Sequence, residues 1–228
     1  MISVATLTYK RLDLLQEAVH SFLLQEQHDC EMVILNDDRN VQYSFDHKNI
    51  RIVNLNYRFG SIGEKLKYCF DLCSNDFIYR LDDDDLLLEN ALSTVKQEII
   101  DNPGFDIYRS LSNWFITNNS SVKKGSSVNN GNSYSKKYLN RIPDWKKSCN
   151  EDHYITFENG ASIHKFKEPT MIYRWGMNTY HISGIYSEDR THEDYLRVAD
   201  RLGDSNTDEL TLKPNFNRNY YELIRKGK

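Results

Sequence analysis

In Phe77-Ile78-Tyr79-Arg80-Leu81-Asp82-Asp83-Asp84-Asp85-Leu86, a short apolar run ends in four adjacent carboxylates. Residues 77–81 have the length and the aromatic and β-branched content of a buried strand. Four neighbouring carboxylates repel one another, and a fold rarely keeps such a run unless a cation resolves the repulsion. Anchored on a strand end, they suit a hard divalent cation, which takes carboxylate oxygens together with phosphate oxygens. Two plainer roles stay open: a solvated acidic turn, and a helix N-cap at Asp85, where negative charge is welcome. An EF-hand is excluded, because the glycine and ligand spacing of that loop are missing.

The flanking sequence alternates strand-like and helix-like segments. Residues 2–8, 31–35 and 50–55 read as strands. Leu12, Leu15, Val19, Phe22 and Leu23 recur at helical spacing, with Asp13 placed to cap that helix and Gln16 in capping-box position. Ile62, Leu66, Cys69, Phe70 and Cys73 mark a second helix, and Leu88, Leu92, Val95 and Ile99 a third, stopped before Asn102-Pro103-Gly104. This order predicts the α/β class: a mostly parallel central sheet with helices on both faces. Ligands of such sheets bind beyond the carboxyl ends of the strands. Thr8-Tyr9-Lys10-Arg11, Asn36-Asp37-Asp38 and the four aspartates each follow a strand, so the fold would bring them to one rim.

The second half is less regular. Residues 118–135, rich in Asn, Ser and Gly, read as a mobile loop. Residues 151–157 and 191–202 read as helices and residues 170–175 as a strand. With no internal repeat and no long linker, a single domain over residues 1–228 is expected.

Composition narrows the class. A chain of 228 residues, 39% apolar and 12% aromatic, is ample for a core and is not a disordered composition. A formal net charge of −4 argues against non-specific grip on nucleic acid or membrane by the chain as a whole. No apolar run approaches bilayer length. Met1-Ile2-Ser3-Val4 reads as the start of a strand rather than a signal peptide. Cys30, Cys69, Cys73 and Cys149 lack zinc-ligand spacing, so reduced, structural cysteines in a cytoplasmic protein are expected.

At this point the sequence resembles the GT-A glycosyltransferases, specifically family 2. The resemblance is carried by Ser3-Val4-Ala5-Thr6-Leu7-Thr8-Tyr9, Val33-Ile34-Leu35-Asn36-Asp37-Asp38, the aspartate-x-aspartate of Asp82-Asp83-Asp84, Glu151-Asp152, Ile172-Tyr173-Arg174-Trp175-Gly176, and Asn178 to His181. It implies an inverting, metal-dependent transfer of a sugar from a UDP-sugar. Residues 1–104 would form the nucleotide-sugar-binding half, and 105–228 the acceptor-binding half with a C-terminal helix. Thr6, Thr8 and Tyr9 would line the nucleotide pocket, with Arg11 near the phosphates. Asp37 would accept a hydrogen bond from the base. The family's arginine in the second-helix region has no direct counterpart, and Arg58, Lys65 and Lys67 are the candidates. Asp82 and Asp83 would line the donor site, Asp82 near the ribose. Asp84 would ligate Mn²⁺ or Mg²⁺, with His181 completing the metal sphere. Asp152 would be the catalytic base beside Glu151; Glu188-Asp189 is the rival pair.

Between Lys123 and Lys147 stand seven basic residues and one acid, Asp144, with Tyr134, Tyr138 and Trp145 interleaved. The pattern fits either a solvated surface or an anionic acceptor: a phosphate-bearing glycan, a lipid-linked phosphate, or DNA with hydroxymethylated bases. A catalytically silent nucleotide-sugar-binding module of the same fold is a further alternative, and the intact acidic residues weigh against it.

Overall fold

The computed structural model describes residues 1–26, 29–117, 121–128, 130–147, 150–175 and 208–226. Its centre is a seven-stranded sheet in the order β11-β7-β10-β5-β1-β2-β4. The strands are β1 (Ile2–Thr8), β2 (Glu31–Asn36), β4 (Ile50–Asn54), β5 (Phe77–Arg80), β7 (Ile107–Ser110), β10 (Ser133–Ser135) and β11 (Ile163–Phe166). All neighbouring pairs are parallel except those of β10, which runs antiparallel to both β5 and β7. Every residue of β1 is buried, as a strand covered on both faces requires.

Two apolar layers cover the sheet. On one face pack α1 (Leu12–Leu23), α3 (Ala91–Asp101) and the C-terminal α6 (Tyr220–Lys226), through Leu15, Val19, Leu92, Val95 and Ile224. On the other pack α2 (Ile62–Leu72), α4 (Lys136–Leu139) and α5 (Glu151–Phe157), through Leu66, Phe70, Tyr138 and Ile155. A second sheet, in the order β6-β12-β8-β9, joins β6 (Leu86–Leu87), β12 (Met171–Trp175), β8 (Ser112–Thr117) and β9 (Val122–Ser126). A parallel pair joins β3 (Val41–Ser44) to β13 (Asp208–Thr211).

Three expectations change. Helix α1 begins behind Arg11 with no side-chain cap, so Asp13 sits inside its first turn and is not the cap. The capping box belongs to α2 instead: Ser61 Oγ accepts from the Glu64 amide (3.2 Å) and donates to the Glu64 carboxylate (3.1 Å). Residues 118–135 are not one mobile loop, because β9 and β10 lie within them and β10 is inserted between β5 and β7. Ser133 and Tyr134 are fully buried there, held by ladder hydrogen bonds that small polar residues supply as well as apolar ones. The helix expected over 191–202 lies outside the described residues. Among the described residues, no helix is long and apolar enough to cross a membrane.

Candidate active site

Three loops meet at the carboxyl rim of the parallel strands. After β1, Lys10 adopts a left-handed backbone (φ 53°), a conformation that strains a residue with a Cβ. Arg11 follows, and its guanidinium pairs with Asp83 and, at 3.0 Å, with Asp84. After β2, Asn36 ties down its own loop by donating to the Val41 carbonyl (2.6 Å) and accepting from the Asp38 amide (3.1 Å). Asp37 is thereby fixed beside Lys65, whose Nζ lies 2.5 Å from Asp37 Oδ1 and donates to the Thr8 carbonyl at 2.7 Å. Burial holds the Lys65 ammonium below its usual range, against the pull of Asp37. Asp37 Oδ2 accepts from the Phe59 amide (3.3 Å), while Asp38 Oδ2 and the Thr6 hydroxyl are buried without a hydrogen-bond partner and the Thr8 hydroxyl faces Asp83. The Arg58 guanidinium lies over the Tyr9 ring, 3.9 Å from its centroid. Of the second-helix candidates, Lys65 is thus committed to the β1 and β2 loops, and Lys67 pairs on the surface with Asp71.

The four aspartates after β5 divide into distinct roles, and none caps a helix. Asp82, Asp84 and Asp85 each offer one carboxylate oxygen within 4.8 Å of the others. Asp83 faces Arg11, and burial pushes its carboxyl up to about 6. Asp85 is fully buried; burial and its neighbours Asp84 and Asp82 raise it well above the ordinary carboxylate range. Its two oxygens accept from Asn130 Nδ2 (2.7 Å) and the Arg174 amide (3.0 Å). Arg174, fully buried on β12, also donates to the carbonyls of Asp83 and Asp84 and pairs with buried Glu17, which accepts from Tyr220 as well. The aspartate loop is therefore held from behind by a residue 90 positions away in sequence.

Arg80, at the end of β5, links this loop to the acidic pair of α5. Its guanidinium lies 3.0 Å from Asp82, 3.2 Å from Glu151 and in contact with Asp152. The residue before Glu151, Asn150, is in the left-handed region (φ 54°), which asparagine tolerates better than most residues. Lys10 and Asn150 are the only non-glycine residues with positive φ among the described residues, and each directly precedes a charged rim residue. Thr6, Thr8, Tyr9, Arg11, Asp37, Arg58, Lys65, Asp82, Asp83, Asp84, Glu151 and Asp152 are all at or next to this rim. His181 and the rival pair Glu188-Asp189 lie outside the described residues.

Sequence reasoning assigned no role to Arg80, Glu17, Asn130 or Arg174. Arg80 carried a signal: an arginine two residues after Ile78 on a strand buried on both faces must have a buried partner. The basic segment, by contrast, does not form one surface. Lys123 and Lys124 are on β9, and Lys136 donates from the amino edge of the sheet to the Cys73 carbonyl. The backbone carbonyl of Lys147 accepts from the Gly63 amide at the start of α2 (2.8 Å).

The sequence model of glycosyl transferase family 2 matches residues 3–161, from β1 through α5. The chain belongs to glycosyl transferase family 2. Among curated proteins, this family 2 chain is 34% identical to the GalNAc(5)-diNAcBac-PP-undecaprenol beta-1,3-glucosyltransferase of Campylobacter jejuni. The match covers 42% of the chain and 34% of that relative, so the chain aligns with about a third of its length. Among solved structures, S. aureus TarS 1–349 in complex with UDP-GlcNAc superposes with a TM-score of 0.66 at 17% identity, over 88% of this chain and 65% of that one. The mannosyltransferase PcManGT of Pyrobaculum calidifontis, in complex with GDP-Man and Mn²⁺, gives a TM-score of 0.52 at 12% identity, over 75% of this chain and 56% of that one. At these identities the structural matches establish the GT-A fold.

Proposed function

We propose that this family 2 chain is an inverting glycosyltransferase that moves a sugar from a UDP-sugar to a hydroxyl of an anionic, lipid-linked glycan in the cytoplasm. The observation that carries the reading is Arg80, one buried guanidinium that gathers Asp82, Glu151 and Asp152 into one site. Residues 1–104 form the donor half. Arg58, stacked on Tyr9, would flank the base region, while the buried, unpartnered oxygens of Thr6 and Asp38 supply polar contacts that bound nucleotide would complete. Arg11, now held by Asp83 and Asp84, is the cation placed for the diphosphate.

The rim fits a divalent cation. Asp82, Asp84 and Asp85 form a hard oxygen donor set, and the rim carboxylates outnumber Arg11, Arg58, Lys65 and Arg80. Asp82, Asp84 and Asp85 would hold the cation, which would supply charge stabilisation for a departing diphosphate. Asp85 is already engaged by Asn130 and Arg174, which orient it toward Asp82 and Asp84.

In the transfer, the acceptor oxygen bonds to the anomeric carbon, the bond from that carbon to the UDP oxygen breaks, and the hydroxyl proton passes to a carboxylate. We assign that proton to Asp152, with Glu151 and Arg80 holding it in place. Support for an anionic, lipid-linked acceptor comes from the PP-undecaprenol in the Campylobacter relative's name. Asp152→Asn should lower turnover by about 10²–10⁴-fold with UDP binding nearly intact, measured by steady-state kinetics and calorimetry. A fully active Asp152→Asn beside a dead Asp189→Asn would move the base to the later pair.

A further inference from the structure

Strand β7 carries a second buried arginine, Arg109, on the same face of the sheet as Arg80. Ile78 and Ile107, two residues earlier on β5 and β7, both belong to the apolar layer under α5, and side chains two apart on a strand share a face. Ser133 of β10 pairs with both Tyr79 and Tyr108, so Asn132 falls between Arg80 and Arg109; the Arg80 amide donates to the Asn132 carbonyl (3.0 Å). On the far side of Arg109, β11 places Lys165 opposite it. Across the sheet the row reads Arg80, Asn132, Arg109, Lys165.

Helix α5 lies along this row. Its first turn contacts Arg80 through Glu151 and Asp152. Its last turn reaches Asn132 through Thr156 (3.4 Å) and Arg109 through the Phe157 ring, 5.3 Å from the guanidinium carbon. Phe157 stands five positions along the helix from Asp152, a rise of about 7.5 Å.

The two arginines differ in their company. Arg109 is 8% exposed, its Nη1 is buried without a hydrogen-bond partner, and among the described residues no carboxylate pairs with it or with Lys165. A guanidinium stays protonated at any working pH, so burying it with no counter-ion is costly unless a ligand brings one. Phe157 supplies a cation–π contact, which neutralises nothing.

We propose that Arg109 is an anion-binding residue of the acceptor site, with a phosphoryl group of the acceptor as its ligand. The inference rests on the glycosyltransferase reading above and names where that acceptor's charge is held. A guanidinium fork matches the oxygens of a phosphoryl group, and the adjacent Lys165 gives the row the two positive charges that suit a phosphate or diphosphate better than a single carboxylate. The anion would bind about one short helix length from Asp152, leaving the attacking hydroxyl at Asp152 on the glycan portion.

Inorganic phosphate tests this, titrated by calorimetry into the full chain without metal, in a buffer free of other oxyanions, with acetate as the control. Wild-type protein should bind one phosphate, and Arg109→Met should bind it at least tenfold more weakly. Without phosphate, Arg109→Met should melt at the same temperature as the wild type or higher, since it removes an uncompensated buried charge while keeping the stem. Arg109→Lys should fall between the two in phosphate affinity, and UDP affinity in the presence of Mn²⁺ should be equal in all three. No phosphate binding by wild type, equal binding by Arg109→Met, or an Arg109→Met midpoint lowered by several degrees would each overturn the proposal; the last would make Arg109 a structural residue. Acetate binding as tightly as phosphate would overturn the phosphoryl assignment. Failure of UDP to bind the wild type would instead strike the donor reading and leave the phosphate result to be judged separately.

Discussion

Arg80 and Arg109 lie two strands apart on one face of one sheet, and the sequence around them treats their charge in opposite ways. Arg80 is 3% exposed and surrounded by Asp82, Glu151 and Asp152. Arg109 is nearly as buried and has the Phe157 ring and strand β10, with Asn132 just before it, for neighbours. Where carboxylates converge for chemistry, the chain supplies its own counter-charge and the arginine organises them. Where no carboxylate among the described residues answers the charge, as at Arg109, the position suits a ligand that brings its own. Arg174 extends the comparison to a third case: fully buried and paired with one equally buried acid, Glu17, it works on the backbone carbonyls of the aspartate loop.

Breaking the paired sites should be costly in proportion to how deeply the stranded acid lies. Arg174→Met leaves Glu17 buried and uncompensated, so it should cost about 3–5 kcal/mol. For a chain of this size that lowers the thermal midpoint by roughly 6–20 °C, read by scanning calorimetry or circular dichroism. Glu17→Gln on the same background should recover part of the loss; no recovery would mean that Arg174 matters for packing alone.

Arg80→Met strands Glu151 and Asp152, whose side chains are 11% and 24% exposed, so solvent can relieve part of the repulsion. A loss of about 2 kcal/mol is expected, smaller than for Arg174. Turnover should fall further than stability, because Asp152, the proposed base, loses its orienting partner. An Arg80→Met protein with unchanged kcat would separate Asp82 from the acidic pair of α5 and dissolve the site as drawn.

Groups able to shed their charge give the smallest effect. Cys69 on α2 and Cys73, the residue that ends it, are buried, and desolvation pushes both thiols up, Cys73 to about 12. They stay protonated at neutral pH and need no partner. In a Cys149→Ser background the native protein should therefore react with a thiol reagent at pH 8 much more slowly than the unfolded chain. Equal rates would show that α2 opens readily from the sheet.

The donor half was legible because its signals are local. The alternation from β1 to α3 follows hydrophobic period, and the polar clusters after β1, β2 and β5 stand at strand ends that a parallel sheet brings to one rim. The Glu151–Phe157 helix was legible for the same reason. Strand β10 was not, since Ser133-Tyr134-Ser135 carries no hydrophobic pattern and gains its strand state from vacant ladder positions on β5 and β7. Strand β3 escaped notice because four residues give almost no period. The pairings of Arg174 with Glu17 and of Arg80 with Glu151 bridge 157 and 71 positions, and no local pattern encodes such contacts.

Asp82, Asp84 and Asp85 together are proposed as a cation-dependent nucleotide site. Calorimetric titration of UDP into the wild-type chain, once with Mn²⁺ and once with EDTA, tests it most directly, with Asp84→Ala as the control. Binding should be at least tenfold tighter with Mn²⁺, and Asp84→Ala should erase that gain with little change in thermal midpoint, since it also relieves repulsion among neighbouring carboxylates. Equal UDP affinity with Mn²⁺ and with EDTA would mean that these aspartates hold no cation for the nucleotide.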